Sequence, residues 1–475
     1  MRSAILGFAP ILVIGCVIVA CSSDEGQEVT KCPTPNDWDA SPVDSGSAAN
    51  PDGDADVADT APALPQAVTV NVVRSMKPAA GVTVVFHDAS GAVLGSTKTD
   101  AAGKAVSTGA IPAQVSVLLG AASWLRSVHT WTSVEAGDEL FVTDFSPMGG
   151  EELGHITVTL PGEVMGSSWY YANVGSCGVA RQGKNVGTPA SITMRAECVR
   201  PQNAILGRSA GDRTNGFAFL KGVPAPAPAA GVDVTLGSWW FTAAMASVNI
   251  LNPPSSLTNT KLDLDDILGD VAYPSDSMYL KTATASLAFA AGFADAHQFT
   301  ALDGAYPTPR SLVTRIPSTK SSVTLDFGTA PPAIKDMTLA ATNRERPELS
   351  WTLPAGMSTV DGALGAVDYQ ADNQTKYRWS FVLPPNATSA RFPELPAEVA
   401  DWVAFTPKPA EIGFSGFTSL NLTLVSSDLL DGYGAFRTEV GRLVPLEFDE
   451  QYRVSHIMLP KDGALATTIS YAPLR

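Results

Sequence analysis

What most constrains this chain is the shortness of its apolar runs. Past residue 65 they alternate with polar residues and stop at turn residues. Val82, Val84 and Phe86 alternate with Thr83, Val85 and His87, the period of a strand with a buried face. Asp88-Ala89-Ser90-Gly91 ends that run, and Asp100-Ala101-Ala102-Gly103 ends a later one. At such places Asp bonds its own backbone and Gly takes positive φ. With 40 Gly and 35 Pro, long helices have little room. The fold class expected is all-β, with several β-sandwich modules in tandem behind a disordered tether.

Two segments precede the strands. Residues 1–20 open on Arg2, run apolar from Ala4 to Ala20 and exit on small residues, the form of a secretory signal. Ile18-Val19-Ala20-Cys21 resembles the lipobox of bacterial lipoproteins. The resemblance implies that residues 1–20 are removed and that Cys21 carries acyl chains and tethers the chain to a membrane. Val13-Ile14-Gly15-Cys16 fits the same pattern but leaves a stunted apolar core. The alternative is a membrane-spanning anchor, for which the run is at the short end. Ser22 stands where Asp would favour inner-membrane retention in that family, so the resemblance points to the outer membrane, facing the periplasm or the outside. Residues 21–65 are rich in Asp, Ser, Pro, Gly and Ala and bury too little to offset their ordering entropy. They are expected to act as an acidic tether spanning about 35–40 Å. Asp52-Gly53-Asp54-Ala55-Asp56 resembles a calcium loop but lacks a closing Glu, so it reads as a solvated charge run.

Charge and cysteine usage narrow the chemistry. The net charge is −16, and −17 without Arg2, which argues against nucleic acid as a partner. Cys21 is assigned to lipid and Cys32 to the tether. Cys177 and Cys198 then form a natural disulfide in an oxidising space, worth about 3 kcal/mol by loop closure. Two free buried thiols are the alternative.

Three β-rich regions follow. In residues 66–146, Pro78 to Val84, Asp88 to Gly91 and Thr97 to Ala105 resemble the carboxypeptidase-regulatory-like, or transthyretin-like, domain. That implies a non-catalytic β-sandwich. Residues 150–335 are expected to hold one or two modules. There Trp169, Tyr171 and Cys177 share one parity, and Ile192, Met194, Ala196 and Cys198 another, which would turn both cysteines inward. Phe217, Phe219, Val232, Val234 and Leu236 continue the pattern. Lys261 to Asp270 reads as a helical turn or loop, Ala283 to Ala291 as strand or helix, and Ser321 to Phe327 as a strand. In residues 336–475, Pro347 to Thr352, Tyr377 to Phe381 and Arg391 to Pro396 are similar to a fibronectin-type-III strand plan. Leu420 to Val425 and Tyr452 to Leu459 are expected as late strands.

Few residues group into a recognisable chemistry. Gly207-Arg208-Ser209-Ala210-Gly211 matches the G-x-S-x-G nucleophile elbow, but no helical pattern follows it; a hairpin turn is the plainer reading, and a serine hydrolase the remote one. His87, His129, His155, His297 and His456 show no metal-ligand spacing and read as surface or strand-end residues. Asp263, Asp265 and Asp266 read as solvated carboxylates rather than a calcium site. No metal and no cofactor is expected. Trp239-Trp240 and Trp169-Tyr170-Tyr171 could offer an aromatic platform to sugar rings, with one member of each group turned inward. The expectation is a non-enzymatic, lipid-anchored envelope protein with a structural or protein-interaction role, built as a string of modules without a convergent titratable cluster. A carbohydrate-binding surface protein, using Trp239 or Trp240, is the alternative. Expected partners are the membrane, through the lipid, and a surface protein or polysaccharide.

Overall fold

The computed structural model describes residues 67–74, 77–122, 125–144, 152–183, 188–195, 202–226, 230–241, 244–340, 346–370, 376–403, 416–443 and 457–472. The signal, Cys21, the tether, Cys198 and His456 lie outside the described residues. The chain is all-β, and its described strands stack into four sandwiches.

Sandwich 1 holds β1 (Thr69–Arg74), β2 (Lys77–Pro78), β3 (Thr83–His87), β4 (Val93–Lys98), β5 (Lys104–Val106), β6 (Gln114–Ala122), β7 (Leu125–Thr132) and β8 (Glu139–Asp144). Its turns follow from the local sequence. Asp88 Oδ1 accepts from the backbone N–H groups of Ser90 and Ala92 at 2.8 and 2.9 Å, and Asp100 Oδ1 does the same for Ala102 and Lys104. Gly103 has φ +72°, and a Cβ there would lie 2.4 Å from the Val72 carbonyl oxygen.

Sandwich 2 holds β9 (Glu152–Thr159), β10 (Trp169–Asn173), β11 (Val179–Gln182), β12 (Ala190–Arg195), β13 (Gln202–Ala210), β14 (Thr214–Pro224) and β15 (Ala230–Thr235). Here the expected parity is reversed. Tyr170 and Ala172 face the core, while Trp169 and Tyr171 face outward under arginines. Nor does the parity carry through to Cys177, because β10 ends at Asn173 and a 3-10 turn, Gly175–Cys177, intervenes.

Sandwich 3 holds β16 (Ala244–Leu251), β17 (Thr260–Leu268), β18 (Val271–Tyr279), β19 (Thr284–Phe289), β20 (Ala296–Asp303), β21 (Arg310–Pro317) and β22 (Ser322–Asp326). Lys261 to Leu268, expected as helical turn or loop, is strand: Leu262, Leu264 and Ile267 are core residues, and packing overrides the poor strand propensity of Asp. A register shift at Leu264/Asp265 turns Asp266 inward.

Sandwich 4 holds β23 (Lys335–Ala340), β24 (Glu348–Thr352), β25 (Gly362–Gln370), β26 (Lys376–Leu383), β27 (Ser389–Arg391), β28 (Gly416–Ser427), the helix α1 (Gly432–Leu443) and β29 (Gly463–Ala472). Its sheets, β23-β24-β27 and β26-β25-β28-β29, have the fibronectin-type-III-like plan. Trp351, Trp379, Phe381 and Phe392 fill its core. Of the expected strand at 452–459, the first five residues lie outside the described set and Ile457 to Leu459 are not strand.

Sandwiches 1, 2 and 3 share one wiring. In each, the first strand pairs in parallel with the last: β1 with β8, β9 with β15, β16 with β22. On its other side it pairs antiparallel with β5, β12 or β19. The facing sheets run β4-β3-β6-β7, β11-β10-β13-β14 and β18-β17-β20-β21.

Three of the sandwiches are not separate beads. A 12-stranded sheet runs β18-β17-β20-β21-β29-β28-β25-β26-β7-β6-β3-β4. Sandwich 1 joins sandwich 4 through parallel β7–β26 pairing, and sandwich 3 joins sandwich 4 through antiparallel β21–β29 pairing. A buried polar chain crosses the first seam: His87 Nε2 to Ser116 Oγ at 3.0 Å, Ser116 Oγ to Thr130 Oγ1 at 2.9 Å, and Trp379 Nε1 donating to Thr130 Oγ1 at 2.9 Å. Helix α1, from sandwich 4, packs Phe436, Val440 and Leu443 into the core of sandwich 1. Arg437 forks onto Asp138 at 2.7 and 3.0 Å. No helix among the described residues is long and apolar enough to cross a membrane.

Candidate functional site

The residues with the most chemistry gather on sandwich 2 and at its seam with sandwich 3. One row crosses the outer face of the β11-β10-β13-β14 sheet. Arg181 pairs with Tyr171, Tyr171 with Arg208, Arg208 with Phe217, and Phe217 bridges to Trp240. Cations and rings alternate along it. The Arg181 guanidinium lies 3.5 Å from the Trp169 ring centroid, and that of Arg208 lies 4.5 Å from the Tyr171 centroid, within the range of cation–π attraction. At the far end Trp240 packs on Phe219, Phe219 on Phe293, and Phe293 edge-on against Tyr273.

The adjacent tryptophans take opposite roles. Trp239 is 8% exposed, sits in the sandwich 2 core against Tyr170 and donates from Nε1 to the Gly162 carbonyl at 2.7 Å. It is a core residue and offers nothing to a ligand. Trp240 is 57% exposed and Phe241 61%. The inward-outward split was legible from alternation; the flanking Arg181, Arg208 and Phe219 were not.

At the seam, Arg208 Nη1 donates to the Ser275 carbonyl at 3.2 Å, and Arg213 Nη2 pairs with Asp276 at 2.8 Å. Of the three aspartates read from sequence as solvated, Asp265 and Asp266 are packed here instead, while Asp263 stays partly exposed and pairs with Lys261 at 2.9 Å. Asp266 is fully buried: Oδ2 accepts from Ser275 Oγ at 2.6 Å and Ala290 N at 3.2 Å, and Oδ1 meets His297 Nδ1 at 2.7 Å. Burial pushes Asp265 up to about 7, helped by the charges of Asp263 and Asp266. Burial also pulls the Arg208 pKa down. So a convergent titratable cluster exists where none was expected, because folding brings β17, β18 and β20 together under sandwich 2. Asp276 and Asp266 are satisfied by backbone and side-chain donors, which makes the cluster a polar lock between sandwiches. Among the described residues no group of His, Cys, Asp or Glu could hold a metal ion.

The G-x-S-x-G match is neither elbow nor hairpin turn. Ser209 is the penultimate residue of β13, wholly buried, with no hydrogen-bond partner for its Oγ. Among the described residues no imidazole hydrogen-bonds to it, the contact by which a base activates a serine. His87, His129 and His297, expected at the surface or at strand ends, are all buried; the strands carrying them are covered on both faces. His155 is exposed. Cys177 packs at the margin of the sandwich 2 core.

One groove of about 850 Å³ lies between sandwiches 3 and 4, with Thr324, Leu325 and Asp326 on one wall and Gly356 and Thr359 on the other. Its carboxylates are occupied: Asp326 Oδ1 by Asn252 and Gly328 N, Asp428 Oδ1 by Ala464 N.

No family model and no curated protein matches the chain. Among solved structures, it is similar to the Bacillus anthracis TIE protein at 8% identity and TM-score 0.15, over 55% of this chain and 50% of that one. It is also similar to the FN1–FN3 domains of chicken CNTN1 at 8% identity and TM-score 0.14, over 58% of this chain and 94% of that one. The chain thus spans half the length of the bacterial protein. At these TM-scores neither likeness adds to what the strand pairing shows.

Proposed function

We propose that this chain is a non-catalytic, lipid-anchored cell-envelope protein whose sandwiches form a stiff structural or protein-interaction body. The observation that carries the reading is the 12-stranded sheet, which welds sandwiches 1, 3 and 4 into one piece. A rigid scaffold suits display and contact. The buried Ser209 and the satisfied seam carboxylates leave those residues without a role in turnover. In this reading residues 1–20 are removed, Cys21 carries the lipid, residues 21–65 form the tether, and the outer membrane is the address. The shared wiring of sandwiches 1 to 3 supports the transthyretin-like assignment for the first and extends it to the next two. A Cys177–Cys198 disulfide belongs to the same reading, supported by Cys177 standing as a half-cystine. Feeding cells an alkyne-tagged fatty acid tests the anchor: label is expected on the wild-type chain and absent from Cys21→Ser. Label retained by Cys21→Ser, or none on either, defeats it.

A second reading is favoured by one observation, the exposed Trp240 packed beside Phe219. It is carbohydrate binding by ring stacking on Trp240. Retention on a panel of polysaccharides, lost in Trp240→Ala and kept in Tyr279→Ala, is the expected result. No retention on any of them ends this reading and leaves the first intact.

A further inference from the structure

Sandwich 2 carries charge of the opposite sign to the chain as a whole. Residues 152–240 hold seven Lys and Arg against five Asp and Glu, a net +2 within a chain of −16. The β11-β10-β13-β14 sheet concentrates the difference: its strands contain Arg181, Arg208 and Lys221 and no Asp or Glu. Six other arginines, Arg213, Arg310, Arg346, Arg378, Arg437 and Arg442, each pair with a carboxylate. Arg181 does not. It is exposed, and among the described residues it meets no acid and donates no hydrogen bond. Its guanidinium is nonetheless held in place, 3.5 Å from the Trp169 ring centroid and 6.0 Å from that of Tyr171. Trp169 is 40% exposed, and Val179, on the same face of β11 as Arg181, is 55% exposed.

We propose that Trp169, Tyr171 and Arg181 form a binding site for an acidic polysaccharide, with a sugar ring against the aromatic surface and its carboxylate on the guanidinium. A guanidinium lying over an indole keeps its N–H edge outward, and that planar fork meets a carboxylate with two parallel hydrogen bonds. Stacking also fixes the side chain before the ligand arrives, which lowers the ordering cost of binding. The flat apolar surface beside it, from Trp169 and Val179, fits the C–H face of a pyranose. One ring bearing one carboxylate therefore satisfies both halves of the site. A nucleic acid or an anionic membrane asks for many cations over a broad surface. Here the next cation along the row, Arg208, already donates to the Ser275 carbonyl. The site lies on β10 and β11, whereas Trp240 bridges to β14 at the other edge of the sheet, so it stands independently of the Trp240 reading.

Affinity electrophoresis of the full chain in mild detergent, through gels containing polygalacturonate or the neutral glucan dextran, tests this. The expected result is retardation by polygalacturonate. Arg181→Gln should weaken it by about tenfold or more, and Arg181→Lys, which keeps the charge but not the fork, should recover only part of the loss. Trp169→Ala should weaken it about fivefold, and Trp240→Ala should leave it unchanged. Any retardation by dextran should survive Arg181→Gln, since it belongs to the Trp240 reading. Trp169 and Arg181 lie outside the apolar core clusters, so these variants keep the wild-type melting temperature, which separates lost binding from lost fold. No retardation by polygalacturonate, or retardation that Arg181→Gln leaves intact, overturns the proposal. Equal binding of polyphosphate, or of phosphatidylglycerol vesicles in cosedimentation, overturns it too, because the surface would then be a general anion patch.

Discussion

Two buried titrating residues pull the stability of this protein in opposite directions with pH. His87 sits under β6 with Nε2 on Ser116, and burial, then the nearby Arg346 charge, hold its pKa down at about 4 from 6.5. Below pH 6.5 the unfolded chain takes a proton that the folded chain refuses. Stability from this residue is therefore present above about 6.5 and is lost towards pH 4, by about 3 kcal/mol. Asp265 behaves oppositely. Its pKa is raised to about 7 from 3.8, so the folded state holds an extra proton between those values and loses stability as pH climbs through them. In Asp265→Asn that opposing component is gone: urea midpoints should fall from pH 6.5 to 4 more steeply than in the wild type. The tryptophans divide as sharply. Trp239→Ala empties a core site and should cost about 3–5 kcal/mol in urea unfolding, whereas Trp240→Ala should stay within about 0.5 kcal/mol.

Helix α1 shows what a single element does for the fold. Its twelve residues, Gly432–Leu443, include three glycines besides Arg437 and Arg442, a poor helix by propensity. It is held by what it touches. Gly441 lies so close to β8 that a Cβ would stand 1.8 Å from the Phe141 carbonyl oxygen. Gly441→Ala should therefore lower stability by more than about 2 kcal/mol despite better helix propensity, read as a drop in melting temperature. That dependence explains why α1 was hidden in the sequence, while turns such as Asp88–Gly91 were plain. The turns are local: Asp bonds its own backbone within four residues. Strand β17 was hidden for the same reason as α1. Its aspartates are strand residues because β18 and β20 flank them and sandwich 2 covers them, contacts far along the chain. Likewise the alternation of Trp239 and Trp240 was readable locally, but the arginines stacked beside that surface arrive from other strands.

At the scale of the whole molecule, shared ladders imply shared unfolding. Sandwiches 1, 3 and 4 lie on one sheet, whereas sandwich 2 has two sheets of its own and meets sandwich 3 through Leu206, Phe217, Tyr273 and Phe293. Scanning calorimetry should resolve two transitions, the larger from the three welded sandwiches. A single transition, or four, would contradict this division. The parallel β7–β26 seam also dictates when the molecule can be finished. Thr130 and Trp379, bonded across it, are 249 residues apart. At ordinary synthesis rates β26 leaves the ribosome more than about ten seconds after β7. For that interval the N-terminal sandwich carries a raw flank that only the C-terminal one can seal, so the nascent chain needs shielding by chaperones until its last quarter is made.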